Sequence, residues 1–198
     1  METDHGERLP RCGWVNADPL YVAYHDDEWG VPVHDERALF EMLILEGAQA
    51  GLAWYTVLKK RPAYREAFAQ FDPRQVASYD ETQVVRLMNQ TGIIRNRAKI
   101  RAAIGNAQAF VRVQEEFHSF SDYLASLAGP TPIIGHWPRQ QDVPARTALS
   151  ERISRDLRQR GFVFVGPTIC YSYLQAVGVV MDHVTSCYRY RELSPNRG

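Results

Sequence analysis

Glu46 lies seven, three and four positions from Leu39, Leu43 and Ala50, so at helical spacing it shares their apolar face. A carboxylate placed there is partly buried, and leaving it unpaired costs several kcal/mol. Either an arginine or backbone donors meet it, or it faces a cavity that a ligand completes. Trp54 follows eight residues on, and Trp14, Tyr21, Tyr24 and Trp29 gather further rings. Most such rings fill cores, but stacking rings beside an acceptor carboxylate also suit a planar base.

A second grouping has metal-ligand chemistry. His183 and Cys187 are four apart, on one face if the last helix continues or turns there, and Cys12 and His25 could complete a set that joins the two chain ends. Three cysteines are too few for a disulfide framework, so the alternatives are buried thiols with exposed imidazoles or a closed metal site, with Cys170 as core filler. The pairs His25-Asp26 and Asp182-His183 could instead form a catalytic divalent-metal site, but further ligands are missing.

Charge singles out a third segment. The chain has 23 basic and 23 acidic residues, so its formal net charge is zero, which excludes a polycationic arm or an acidic tail as the main function. Yet between Glu81 and Glu115 there is no acid, while Arg86, Arg95, Arg97, Lys99, Arg101 and Arg112 all fall there. Cations at a helix start are disfavoured by the macrodipole unless an anion is bound. The segment reads as a solvated basic face or a nucleic-acid backbone site, and its placement at a hairpin favours the latter.

The elements that must position these groups are helical, and an all-α fold is expected. Asp35 caps a helix through Leu39, Phe40, Leu43 and Ile44. Short helices follow from Pro62 to Phe68 and from Asp72-Pro73. Asp80 with Gln83 forms a capping box for a helix that stops at Gly92, and the next starts near Asn96, with Ile100, Ala103, Ile104, Ala107 and Val111 inward. The four-proline stretch 129–144 is expected as a loop. A helix ends near Gly161, and Gly166-Pro167 opens a buried one. No apolar run is long enough for a membrane span and METDHGER is no secretory signal, so a cytoplasmic protein is expected.

The segments RCGWVNADPLYVAYHDDEWGVP, LFEMLILEGAQAGLAWYTVLKKR, TGIIRNRAKIRAAIGNAQA and RGFVFVGPTICYSYLQAVGVVMDHV, followed by Cys187, resemble the constitutive-type 3-methyladenine DNA glycosylase I family, a zinc-containing branch of the helix-hairpin-helix glycosylase superfamily. The resemblance spans Arg11 to about Cys187; residues 1–10, the loop from Glu115 to about Ala148 and the tail after Tyr188 diverge. It implies a single catalytic unit over 1–198, with flexible tails at 1–10 and 189–198, a helix-hairpin-helix over about 80–113, and terminal segments 11–30 and 167–188 clamped by one structural zinc on Cys12, His25, His183 and Cys187. It further implies that Glu46 hydrogen-bonds a flipped base, that Trp54 and Tyr24 stack on it with Tyr21 as a nearby wall, that Gly51-Leu52 fills the vacated space in the duplex, and that Gly92, Ile93, Ile94, Arg95, Arg97 and Lys99 meet DNA.

Related glycosylases carry a catalytic Asp downstream of the hairpin or a Lys nucleophile at its end; here the end reads Arg95-Asn96-Arg97 and the next acid is Glu115. The expected enzyme is therefore monofunctional, a monomer that binds double-stranded DNA, releases 3-methyladenine and leaves the strand uncut. The competing readings are a non-catalytic helix-hairpin-helix DNA-binding module and a metal-dependent phosphohydrolase.

Overall fold

In a computed structural model that describes residues 9–194, one helix is wrapped by the others. This is α2 (Glu36–Gln49), buried on nearly all sides from Leu39 to Ala48. Asp35 starts it by accepting from the Ala38 amide at 2.8 Å, as the cap reading expects. Before it come the short α1 (Pro19–Ala23) and a π-helical turn at Tyr24–Glu28. After it come α3 (Trp54–Leu58), α4 (Arg61–Ala67), α5 (Pro73–Ala77) and α6 (Glu81–Met88).

The capping box at Asp80 and Gln83 is formed. The long α7 (Arg97–Phe117) begins at Asn96, whose side chain accepts from the Lys99 amide at 3.1 Å. Its inward face uses Phe110 and Val113, with Val111 only half-buried. Then follow α8 (Phe120–Ala128), α9 (Ala148–Gln159), α10 (Pro167–Ala176) and α11 (Tyr188–Leu193). Helix α2 packs against α3, α7, α8 and α10, so residues near its C-terminus face both the hairpin helix and the C-terminal segment.

The fold is mostly helical, with two differences from expectation. The proline-rich stretch is not wholly irregular: Ile133–Ile134 (β1) pairs in parallel with Val180–Met181 (β2), Ile133 opposite Val180, and Gln140–Asp142 forms a 3-10 turn. Proline cannot donate to a ladder, but two residues between prolines can bridge to a neighbouring chain segment. Residues 189–193, expected within a tail, continue α11, and the Tyr190 hydroxyl meets His136 Nδ1 at 2.5 Å. The remaining tail residues, 1–8 and 195–198, lie outside the described residues.

Candidate base cleft and metal centre

Cys12, His25, His183 and Cys187 converge at the seam between the two chain ends. All four are buried, and their ligand atoms lie within 4.8 Å of one another. His183 and Cys187 meet through a turn rather than a helix: α10 has ended at Ala176, and the Cys187 amide donates to the Val184 carbonyl.

The Cys12 Sγ–His183 Nδ1, Cys187 Sγ–His25 Nε2 and Cys187 Sγ–His183 Nδ1 distances are 3.5, 3.5 and 3.6 Å. A tetrahedral ion with ordinary metal–sulfur and metal–nitrogen bonds separates such atoms by ~3.6 Å, so the donor set fits a metal. The far ring nitrogens are held as metal-ligating histidines require. His25 Nδ1 lies 2.7 Å from Asp26, which Arg11 also grips, and His183 Nε2 is 2.9 Å from the Trp29 carbonyl. The Cys12 thiol, hydrogen bonded to Cys187, drives the Cys187 thiol pKa down, assisted by both histidines.

The paired-site alternative for phosphoester hydrolysis fails on the same geometry. Asp26 belongs to Arg11 and His25, while Asp182 is buried and already accepts from Tyr171, Trp137 and Gln175. Neither carboxylate is open to a substrate-bearing ion.

Beside this centre lies a cleft of about 320 Å³. Trp29, whose carbonyl meets His183, also lines it, as do Trp14, Tyr21, Tyr24, Trp54 and Glu46. Glu46 is 3% exposed, and its Oε2 has no hydrogen-bond partner among the described residues. Burial raises its carboxyl pKa to about 8, so the group is mostly neutral at pH 7 until something pairs with it. Among the described residues, two further sealed polar atoms lack partners in the same cleft, Gln49 Oε1 and Trp54 Nε1. Native interiors rarely tolerate such atoms, and three together mark a surface completed by a ligand.

Tyr24 and Trp54 are in contact, with ring centroids 5.3 Å apart at 47°. A base sandwiched between two rings needs roughly 7 Å, two layers of about 3.5 Å each. This arrangement leaves no room for a planar ring between the pair, only against it. Tyr21 is half-buried and set between Trp14 and Tyr55, 5.1 Å from each.

The expected DNA-facing residues divide. Gly51 has φ +81° with open space around it, and Leu52 beside it is 41% exposed, an unusual position for leucine next to a cleft. In the hairpin, a Cβ on Gly92 would come within 2.5 Å of Ala63 Cβ, so glycine is required for α4 to pack there. Ile93 is buried, leaving only its backbone for a ligand, and the Ile94 amide donates to the Tyr64 hydroxyl.

Arg95 is exposed. Arg97 is paired with Glu81, which Arg101 also meets at 2.9 Å. The acid-free stretch in sequence is thus partly neutralised in space by the acid at its edge, though so exposed a pair yields readily to a phosphate. Lys99, expected to meet DNA, points inward. Its ammonium donates to the Ala48 and Ala50 carbonyls at 2.8 Å each, within the protein.

With this geometry in view, comparison with known proteins is decisive. The methyladenine glycosylase family model matches residues 14–190. The chain is 50% identical to DNA-3-methyladenine glycosylase 1 of Escherichia coli over 92% of this chain and 97% of that one, and 45% identical to the Haemophilus influenzae DNA-3-methyladenine glycosylase over 89% and 96%. It also superposes with a TM-score of 0.89 on the Staphylococcus aureus 3-methyladenine DNA glycosylase I, solved for the structural basis of 3-methyladenine recognition, at 35% identity over 96% of this chain and 99% of that one.

The chain belongs to the methyladenine glycosylase family. For a family member, two features were missed in sequence. Gln49 sits one turn beyond Glu46 on α2, and that i, i+3 spacing could have flagged it. Asp182 anchors Trp137 of the loop whose Gln140, Val143 and Pro144 wall the cleft, but a carboxylate beside a metal ligand gives no local signal of that task.

Proposed function

We propose that this protein is a base-excision DNA glycosylase that extrudes N3-methylated adenine from duplex DNA and hydrolyses its N-glycosidic bond. The observation that carries this is the set of three unpartnered polar atoms, on Glu46, Gln49 and Trp54, sealed inside one aromatic cleft. They offer a planar, nitrogen-rich ligand both acceptors and a donor. The family's curated members, named as 3-methyladenine glycosylases, support the same reading.

A purine methylated at N3 is cationic while attached to the sugar. When the glycosidic bond breaks, its electron pair leaves with the base, which departs neutral. Water attacks the oxocarbenium-like sugar and loses a proton. Little acid catalysis is required, so no downstream aspartate is needed. Tyr24, Trp54 and Tyr21 hold the base, and Glu46 takes hydrogen bonds from its N–H groups, which fixes the extruded base in the cleft for attack on the sugar.

Extrusion is assigned to Gly51 and Leu52, and DNA backbone contact to Gly92, Ile93, Ile94, Arg95 and Arg97 as a helix-hairpin-helix over about 80–113. The soft two-cysteine, two-histidine set is assigned to one zinc ion that closes the chain ends and supplies no step of the reaction. The hairpin end holds Arg95-Asn96-Arg97 and Lys99 is engaged by carbonyls, so no amine at the hairpin end is placed for a Schiff base, and the enzyme is assigned no strand cleavage. No described helix is long and apolar enough to cross a membrane, and a cytoplasmic monomer acting on double-stranded DNA is the reading we adopt. A non-catalytic DNA-binding module would have no use for the unpartnered groups of the cleft.

The test is release of free base from methylated duplex DNA by wild type and Glu46→Ala, with strand scission scored in parallel. Release of 3-methyladenine without scission, reduced at least 100-fold in the variant, is expected. DNA binding without base release by the wild type would return the protein to the binding-module class.

A further inference from the structure

We propose that Lys99 is a positioning residue that locks the hairpin helix α7 to the end of the Glu46 helix α2, so that capture of the DNA backbone and presentation of the cleft occur in one fixed register. This rests on the glycosylase reading above.

The C-terminal carbonyls of any helix lack intrahelical partners and favour a cation. Helix α2 has no basic residue in its last turn. The cation comes from 49–51 residues away, where Lys99 Nζ donates to Ala48 O and Ala50 O, both at 2.8 Å. On one side of those carbonyls lie Glu46 and Gln49. On the other, Gly51 turns with φ +81°, Leu52 is exposed and Trp54 begins α3. The backbone amide of Lys99 is itself held by Asn96, the residue that ends the hairpin. One ammonium therefore joins three parts: the anion-facing start of α7, the helix carrying the acceptor carboxylate, and the loop carrying the exposed leucine. Partial burial lowers the Lys99 pKa, because the two carbonyls replace part of the ammonium's hydration.

The experiment compares wild type, Lys99→Met and Lys99→Arg in three measurements. These are affinity for free 3-methyladenine by tryptophan fluorescence, salt dependence of binding to undamaged duplex, and single-turnover base release with a 2-aminopurine reporter of unstacking beside the lesion. For Lys99→Met the expectation is free-base affinity within twofold of wild type, an unchanged salt slope, and release and unstacking both reduced at least tenfold. Lys99→Arg, which keeps the charge, should recover part of both, and it keeps the test open if Lys99→Met fails to fold.

A salt slope lowered by about one would make Lys99 a phosphate ligand and overturn the proposal. Parallel loss of free-base affinity and release would reduce it to a general structural role, and unaltered release would dismiss it. Wild type that releases no base at all would instead sink the glycosylase reading beneath it.

Discussion

Helix α2 carries two buried glutamates five residues apart, and their surroundings are opposite. Glu41, 5% exposed, accepts two hydrogen bonds from each of Arg61 and Arg65, and Arg61 reaches on to Glu28 at 2.6 Å. Glu46, equally buried, has an oxygen with no partner. Desolvation would raise both carboxyls; at Glu41 the two guanidinium groups outweigh it and hold the pKa below the usual range, while at Glu46 nothing opposes it. The Cys12, His25, His183 and Cys187 cluster is of the first kind, every ring nitrogen and thiol engaged. The lesson is that satisfied buried polar groups build the scaffold, whereas the unsatisfied ones gathered in the cleft mark where the ligand goes.

The largest expected effect lies at the satisfied groups. Removing the proposed zinc by chelation, or replacing Cys187 with Ser, should unfold the clamp between the chain ends, an effect on the order of 10 kcal/mol in small zinc domains. Thermal melts and far-ultraviolet circular dichroism should fall together with activity. Activity lost from a fully folded, metal-free protein would give the ion a role in the chemistry.

Glu41→Ala should cost roughly 3–5 kcal/mol, because it leaves Arg61 buried without its main partner. Its contribution is present above the ordinary glutamate pKa and fades as pH falls through the lowered folded value, so the wild-type advantage should shrink in acid. A denaturation series against pH checks both statements, and a variant as stable as wild type at pH 7 would contradict the first.

Glu46→Gln should do the reverse. The folded pKa of about 8 lies above the unfolded 4.5, so from pH 4.5 to 8 the folded state binds the extra proton and wild-type stability declines as pH rises, levelling off above 8. Glutamine escapes that decline. The variant should be more stable than wild type at pH 9, by on the order of 1–3 kcal/mol after local relaxation, with little difference at pH 4. It should also weaken free 3-methyladenine binding about tenfold or more while retaining part of the turnover on methylated DNA. Complete loss of turnover with unaltered free-base affinity would assign Glu46 to the chemical step.

Much of this was legible in the sequence because it is local. The Asp35, Asp80 and Asn96 caps depend on groups within four residues, and helical periodicity located α2, α6 and α7 and their starts, with the ends differing by a few residues. The same periodicity drew attention to Glu46 through Leu39, Leu43 and Ala50, and the unusual residue types at Cys12, His25, His183 and Cys187 suggested a metal.

What periodicity could not do was tell Glu46 from Glu41. Both stand on a helix that proved buried all round, and the difference lies in two arginines brought in by α4. Nor could it see that Lys99 turns inward to α2, that Glu81 folds back on Arg97 and Arg101, or that two residues of a proline-rich loop pair with Val180 and Met181. Composition and spacing determined which side chains this protein has for binding a base, a metal and a backbone. Which of them are satisfied and which are left waiting was decided by tertiary packing, because a hydrogen bond depends on what lies within about 3 Å in space, whatever the distance along the chain.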